Sequence, residues 1–149
     1  MSRTRPGDDD GQIMLLSIAF GALALLLVTA VVAASGVHLE RKRLLALADL
    51  AALDAADALD ESAYYARSAD DDVLRLSSAG VRASVEEYLT ASPAAVRLEG
   101  LTVLDAKSPD GRTAEVTLGA VARPALVSWV TAAWSDGIAL TATATARAD

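Results

Sequence analysis

Apolar and polar positions change their pattern three times along the chain. Residues 11–37, GQIMLLSIAFGALALLLVTAVVAASGV, carry no charged side chain. A helix over residues 13–37 rises about 37 Å at about 1.5 Å per residue, enough to cross a hydrocarbon core of about 30 Å. Buried helices of soluble proteins rarely keep every face apolar over such a length, so this segment is expected to insert in a membrane. It also exceeds the apolar core of a cleavable signal peptide, about 7–15 residues. The best small-residue cleavage site, Val32-Ala33-Ala34 before Ser35, is weak, so retention is expected. Ser17 with Gly21, and Ala30 with Ala34, place small residues four apart, a spacing that lets helices approach closely.

From His38 the pattern becomes amphipathic. No proline interrupts residues 12–61, so the helix should continue beyond the bilayer as an alanine-rich stalk. At about 3.6 residues per turn, Leu44, Leu45, Ala48, Ala51, Ala52, Ala55, Ala56 and Leu59 gather on one arc, a face for packing against a partner helix. Asp49, Asp54, Asp57, Asp60 and Glu61 gather opposite, as a solvated face. The basic cluster Arg41, Lys42 and Arg43 lies where it can meet lipid phosphates.

The third pattern covers residues 62–149. Asp70–Asp72 suit a helix cap. Val81, Val85, Tyr88 and Leu89 recur at helical spacing, and Ser92-Pro93 stops that helix. AVRLEGLTVLDA, the turn SPDG and RTAEVTLGAVA then read as a hairpin. GIALTATATARA alternates alanine with threonine and predicts a third antiparallel strand with one wet face. Before it, Pro124 opens ALVSWVTAAWSDG, in which Leu126, Trp129, Val130 and Ala133 share a helical face. Trp129 and Trp134 belong either in the core or at a contact with a partner or the bilayer interface. The fold class expected is α+β: a long transmembrane helix extended into an amphipathic stalk, then a small domain of one or two helices and a three-stranded antiparallel sheet. The segments are 1–11, a short N-terminal stretch; 12–37, the transmembrane helix; 38–61, the stalk; and 62–149, the small domain.

Composition narrows the chemistry. A net charge of −7 argues against nucleic acid as a partner, because phosphate contacts need a basic face. Cysteine is absent and His38 is the single histidine. That excludes disulfides, thiolate metal sites, His-based triads and multi-histidine metal sites. Glu86 and Glu87 are adjacent on a helix and point apart. No Gly-rich phosphate loop and no nucleophile elbow occurs. No enzyme activity, cofactor or metal is expected.

The ordered combination of Gly11, Gln12, the apolar run, Arg41–Arg43 and the stretch Ala48-Asp49-Leu50-Ala51-Ala52-Leu53 resembles the N-terminal region of TadE/TadG-like proteins of tight-adherence (Flp) pilus systems. The likeness covers residues 8–61, and the Gly-Gln start brings it nearer the TadG-like branch. The resemblance implies a pilin-like architecture, a cytoplasmic N-terminus and an extracytoplasmic C-terminal domain. Arg3 and Arg5 before the span, against Arg41, Lys42 and Arg43 after it, leave orientation undecided by charge. The resemblance also implies partners, the lipid bilayer and other pilus or secretion-apparatus proteins; whether the chain forms a homo-oligomer is left open by the sequence. Gly11 and Gln12 form a candidate processing site. Leu16, however, stands where a processed pilin of this kind carries a glutamate, and Asp8–Asp10 replace a basic leader. The reading is therefore an uncleaved membrane component of the apparatus. Its alternatives are a processed pseudopilin within a filament and a membrane-tethered binding or sensory ectodomain unrelated to pili.

Overall fold

The computed structural model describes residues 8–66, 77–123 and 137–148, with side chains described from residue 11 and not between 59 and 76. One helix, α1, runs from Asp8 to Ala66 over 59 residues, about 88 Å at about 1.5 Å per residue. Alanine and leucine dominate it, and no proline removes a hydrogen bond. Within the apolar run the hydroxyls of Ser17, Thr29 and Ser35 each donate to the carbonyl one turn back, on Ile13, Leu25 and Val31, at 2.9 Å. Those polar groups therefore need no outside partner in an apolar medium.

The second helix, α2, spans Ser78–Ala91. The Ser77 hydroxyl caps it, accepting from the Gly80 amide at 3.0 Å. Ser92 is extended and closes it, as a residue before proline prefers. Val81 and Val85 are buried and Tyr88 and Leu89 partly so, as their spacing predicts. Asp70–Asp72, expected as a cap, lie outside the described residues, as do the 124–136 segment and both tryptophans.

One strand is shorter than its sequence suggested. Residues 95–97 form a 3-10 turn, Ala95–Arg97, whose Ala95 and Leu98 amides donate to Ser92 and Ala95 carbonyls at 3.1 Å. The strand β1 begins only at Thr102 and ends at Lys107. Local hydrogen bonding after Pro93 outcompetes extension there. β2 (Thr113–Ala122) and β3 (Ile138–Arg147) complete an antiparallel sheet in the order β1-β2-β3. The β1–β2 register slips between Val103 and Asp105, leaving Leu104 exposed. In the turn, the Asp110 carboxylate accepts from the Arg112 and Thr113 amides at 2.9 and 2.6 Å. Gly111 follows with φ 73°, a left-handed conformation that glycine adopts without a Cβ clash.

The sheet has one apolar face. Ala114, Val116, Leu118, Ala120 and Ala122 of β2 and Leu140, Ala142, Ala144 and Ala146 of β3 point inward. Thr141, Thr143 and Thr145 point outward, and the Thr143 hydroxyl meets that of Thr117 at 3.0 Å. α1 lies across the inner face with α2 beside it, and the core forms between these layers.

Candidate functional site

The two halves of α1 meet different surroundings. In the apolar half the large side chains of residues 13–32 are about half or more exposed. This helix is long and apolar enough to cross a membrane. Gly11 and Gln12, the candidate processing site, lie within its first turns and are exposed. Arg41, Lys42 and Arg43 are exposed, and the very next residue, Leu44, is fully buried. Val37, still in the apolar run, already packs against the core. The folded layer therefore begins where the apolar run ends, with no linker between them.

The packing face needs correction. It was expected to meet a partner helix, yet Leu44, Ala48, Ala51, Ala52, Ala55 and Ala56 are each at most 2% exposed within the chain itself. The inner face of the sheet and α2 cover them. Alanine on α1 meets alanine on β3, and side chains that short let helix and sheet approach closely. Leu45 does not belong to this face, being 43% exposed, whereas Leu47, missed from the pattern, is 2% exposed. The cause is α2. Asp54, two turns beyond Leu47, accepts from the Ser84 hydroxyl of α2 at 3.1 Å. The buried arc thus extends toward Leu47 and away from Leu45. The side chain of Leu59 is outside the described residues.

Opposite that arc, Leu39, Leu50 and Leu53 stay about half exposed, with Ala46 between them. Asp49 lies beside them and Asp57 one turn beyond Leu53 on the same line, both exposed. Among the described residues, no element covers this outward face of the helix beyond the apolar run.

The charged groups on the sheet have structural roles. Lys107 bridges Asp105 at 2.9 Å and Glu115 at 3.0 Å on the outer face. The Lys107 hydrogen bond is the main reason the Asp105 carboxyl lies below its ordinary range. Lys107 is raised by its hydrogen bonds to Asp105 and then Glu115. Asp110 is lowered chiefly by the Arg112 amide and the Thr113 hydroxyl. Arg123 pairs with Glu99 at 2.9 Å and Arg82 with Glu86 at 3.8 Å. Glu86, Glu87 and His38 are exposed. Among the described residues, no three histidine, aspartate or glutamate side chains gather where a metal ion could be held.

A family model described as "Putative Flp pilus-assembly TadE/G-like" matches residues 11–68. That stretch is nearly the whole of α1, and the match supports the resemblance read from residues 8–61. No curated protein and no solved structure matches the chain.

Proposed function

We propose that this chain is a single-pass membrane component of a TadE/G-like pilus-assembly or related secretion apparatus, acting structurally and without catalysis. The observation that carries this reading is the coincidence of the family match over residues 11–68 with one unbroken helix that is apolar first and domain-forming second. The N-terminus is cytoplasmic, and the sheet with α2 stands on the outer membrane-water boundary. The Gly11-Gln12 start supports the TadG-like branch, and Leu16 in place of a glutamate supports an unprocessed N-terminus. Its partners are the bilayer and other proteins of the apparatus.

Intact mass of the protein from fractionated host cells, with protease accessibility from the outside, tests this. A membrane-bound chain that retains residues 1–11 and is cleaved only beyond Arg43 is the expected result. A chain beginning at Gln12 would make it a processed pseudopilin. A soluble chain beginning near Ser35 would overturn the reading.

A further inference from the structure

We propose that the outward face of α1 docks a second single-pass helix from a different chain, lying parallel to α1 and in register with it. That helix carries acidic residues level with Lys42 and Arg43 and basic residues level with Asp49 and Asp57. The inference rests on the membrane reading above and names the kind of partner it implies.

Three observations lead there. First, the sheet and α2 occupy two sides of α1, and no described element covers the third, where Leu39, Leu50 and Leu53 remain about half exposed. Second, this stripe is continuous with the membrane segment. Stepping back from Leu39 by three or four residues at a time reaches Ser35, Val28 and Gly21 on the same side of the helix. A Cβ placed on Gly21 would meet nothing within 4 Å. Gly21 and Ser35 as small residues about Val28 in the apolar run, with leucines beyond it, give one seam, apolar along its whole length.

Third, the charges flanking the seam select the occupant. An apolar run of about 37 Å in a core of about 30 Å leaves slack of about one helical turn. Two such helices inserted in the same direction are therefore held nearly in register. A second copy of this chain would set Lys42 and Arg43 against themselves, and Asp49 and Asp57 against themselves. Charges flanking a helix–helix seam set partner choice, opposite signs favouring a pairing and like signs opposing it. A partner with the reversed order gains at both ends of the seam. Because these side chains are exposed, they serve selectivity, while the leucines and small residues supply the contact.

The absence of cysteine permits a clean test. Leu50→Cys is introduced into the full-length chain and into a copy carrying Lys42→Glu, Arg43→Glu, Asp49→Lys and Asp57→Lys, distinguished by a tag. Both are reconstituted together in phosphatidylcholine vesicles and oxidised. The charge-reversed copy is the probe for the partner's chemistry. The mixed disulfide should exceed either self-disulfide by roughly tenfold, equivalent to about 1.4 kcal/mol. That preference should shrink in about 1 M salt, where the Debye length falls to about 3 Å. A chain with Glu87→Cys, on the exposed side of α2, should not cross-link.

Self-disulfides of the unreversed chain in equal or greater yield would overturn the proposal in favour of a second copy. No disulfide from either chain would show that the seam docks no helix. If the four changes disturb insertion, Asp49→Lys with Asp57→Lys keeps the membrane-flanking cations and should show the same preference more weakly; a mixed yield no higher than the self yields would also overturn it. Failure here, with the native chain still found in the membrane beside pilus proteins, removes the seam and leaves the functional reading standing. Absence of the native chain from the membrane would remove both.

Discussion

Single side chains show how little space the helix-sheet layer leaves. Ala52 of α1 is wholly buried in the core that α1 forms with the sheet and α2, so Ala52→Leu should destabilise the fold by about 1–3 kcal/mol through overpacking. A thermal melt of the detergent-solubilised protein would measure this. An unchanged melting temperature would mean that the sheet does not cover that face. Gly137 is a second sensitive point. Its φ is 122°, and an added Cβ would lie 2.5 Å from Val121 Cγ1 and 3.0 Å from the Ala122 carbonyl oxygen. Gly137→Ala should therefore cost about 1–3 kcal/mol, read by denaturant midpoint. At the turn, Asp110→Ala removes three hydrogen bonds, two to backbone amides and one to the Thr113 hydroxyl. Exchange of the Arg112 and Thr113 amides should become faster while the core amides are little changed.

Elements differ in how much of their sequence explains them. The period of 3.6 in α2 and the alternation of alanine and threonine in β3 decide which side faces inward without reference to any tertiary contact. The residues ahead of β1 behaved otherwise, because hydrogen bonds of the 3-10 turn Ala95–Arg97 win over extension where no partner strand is present to reward it. For α1 the periodic arc was legible but its occupant was not. A run of alanines facing one way is equally suited to a foreign helix or to a sheet folded back from the same chain. The exchange of Leu45 for Leu47 depended on the flank taken by α2, which no local pattern encodes. A prediction follows for the element itself. A soluble chain limited to residues 62–149 lacks Leu44 and Leu47, each worth about 1.5–3 kcal/mol of burial, and leaves the inner face of the sheet in water. Against a total stability of about 5–15 kcal/mol it should be unfolded by circular dichroism. A chain beginning near residue 38 should fold.

For the whole molecule, one continuous helix joins the apolar run to the folded layer without a linker. Local hydrogen bonds on the outer face of the sheet and in the turn set the molecule's response to pH. Asp105 and Asp110 have folded-state values below the ordinary 3.8, so their stabilising contribution is complete above that value. It is lost as the pH falls from about 3.8 through the lowered folded values. Lys107 is raised above 10.5, so its contribution is present below that value and is lost as the pH rises through the folded one. Denaturant midpoints should accordingly fall in acid below about pH 4 and again in strong alkali. Stability rising as the pH drops below 4 would contradict the hydrogen bonds assigned to Asp105 and Asp110.

The sequence by itself determined the membrane-length helix, its continuation past the bilayer, α2, the hairpin and the alternating last strand, because each is a local matter of length, period or turn chemistry. It also carried the family resemblance, whose residues are contiguous. Only the tertiary structure decided what the alanine face of α1 touches, since burial depends on which surface arrives first and nearest in space. By filling that face with the chain's own sheet, it left the opposite side, Leu39, Leu50 and Leu53, about half exposed among the described residues.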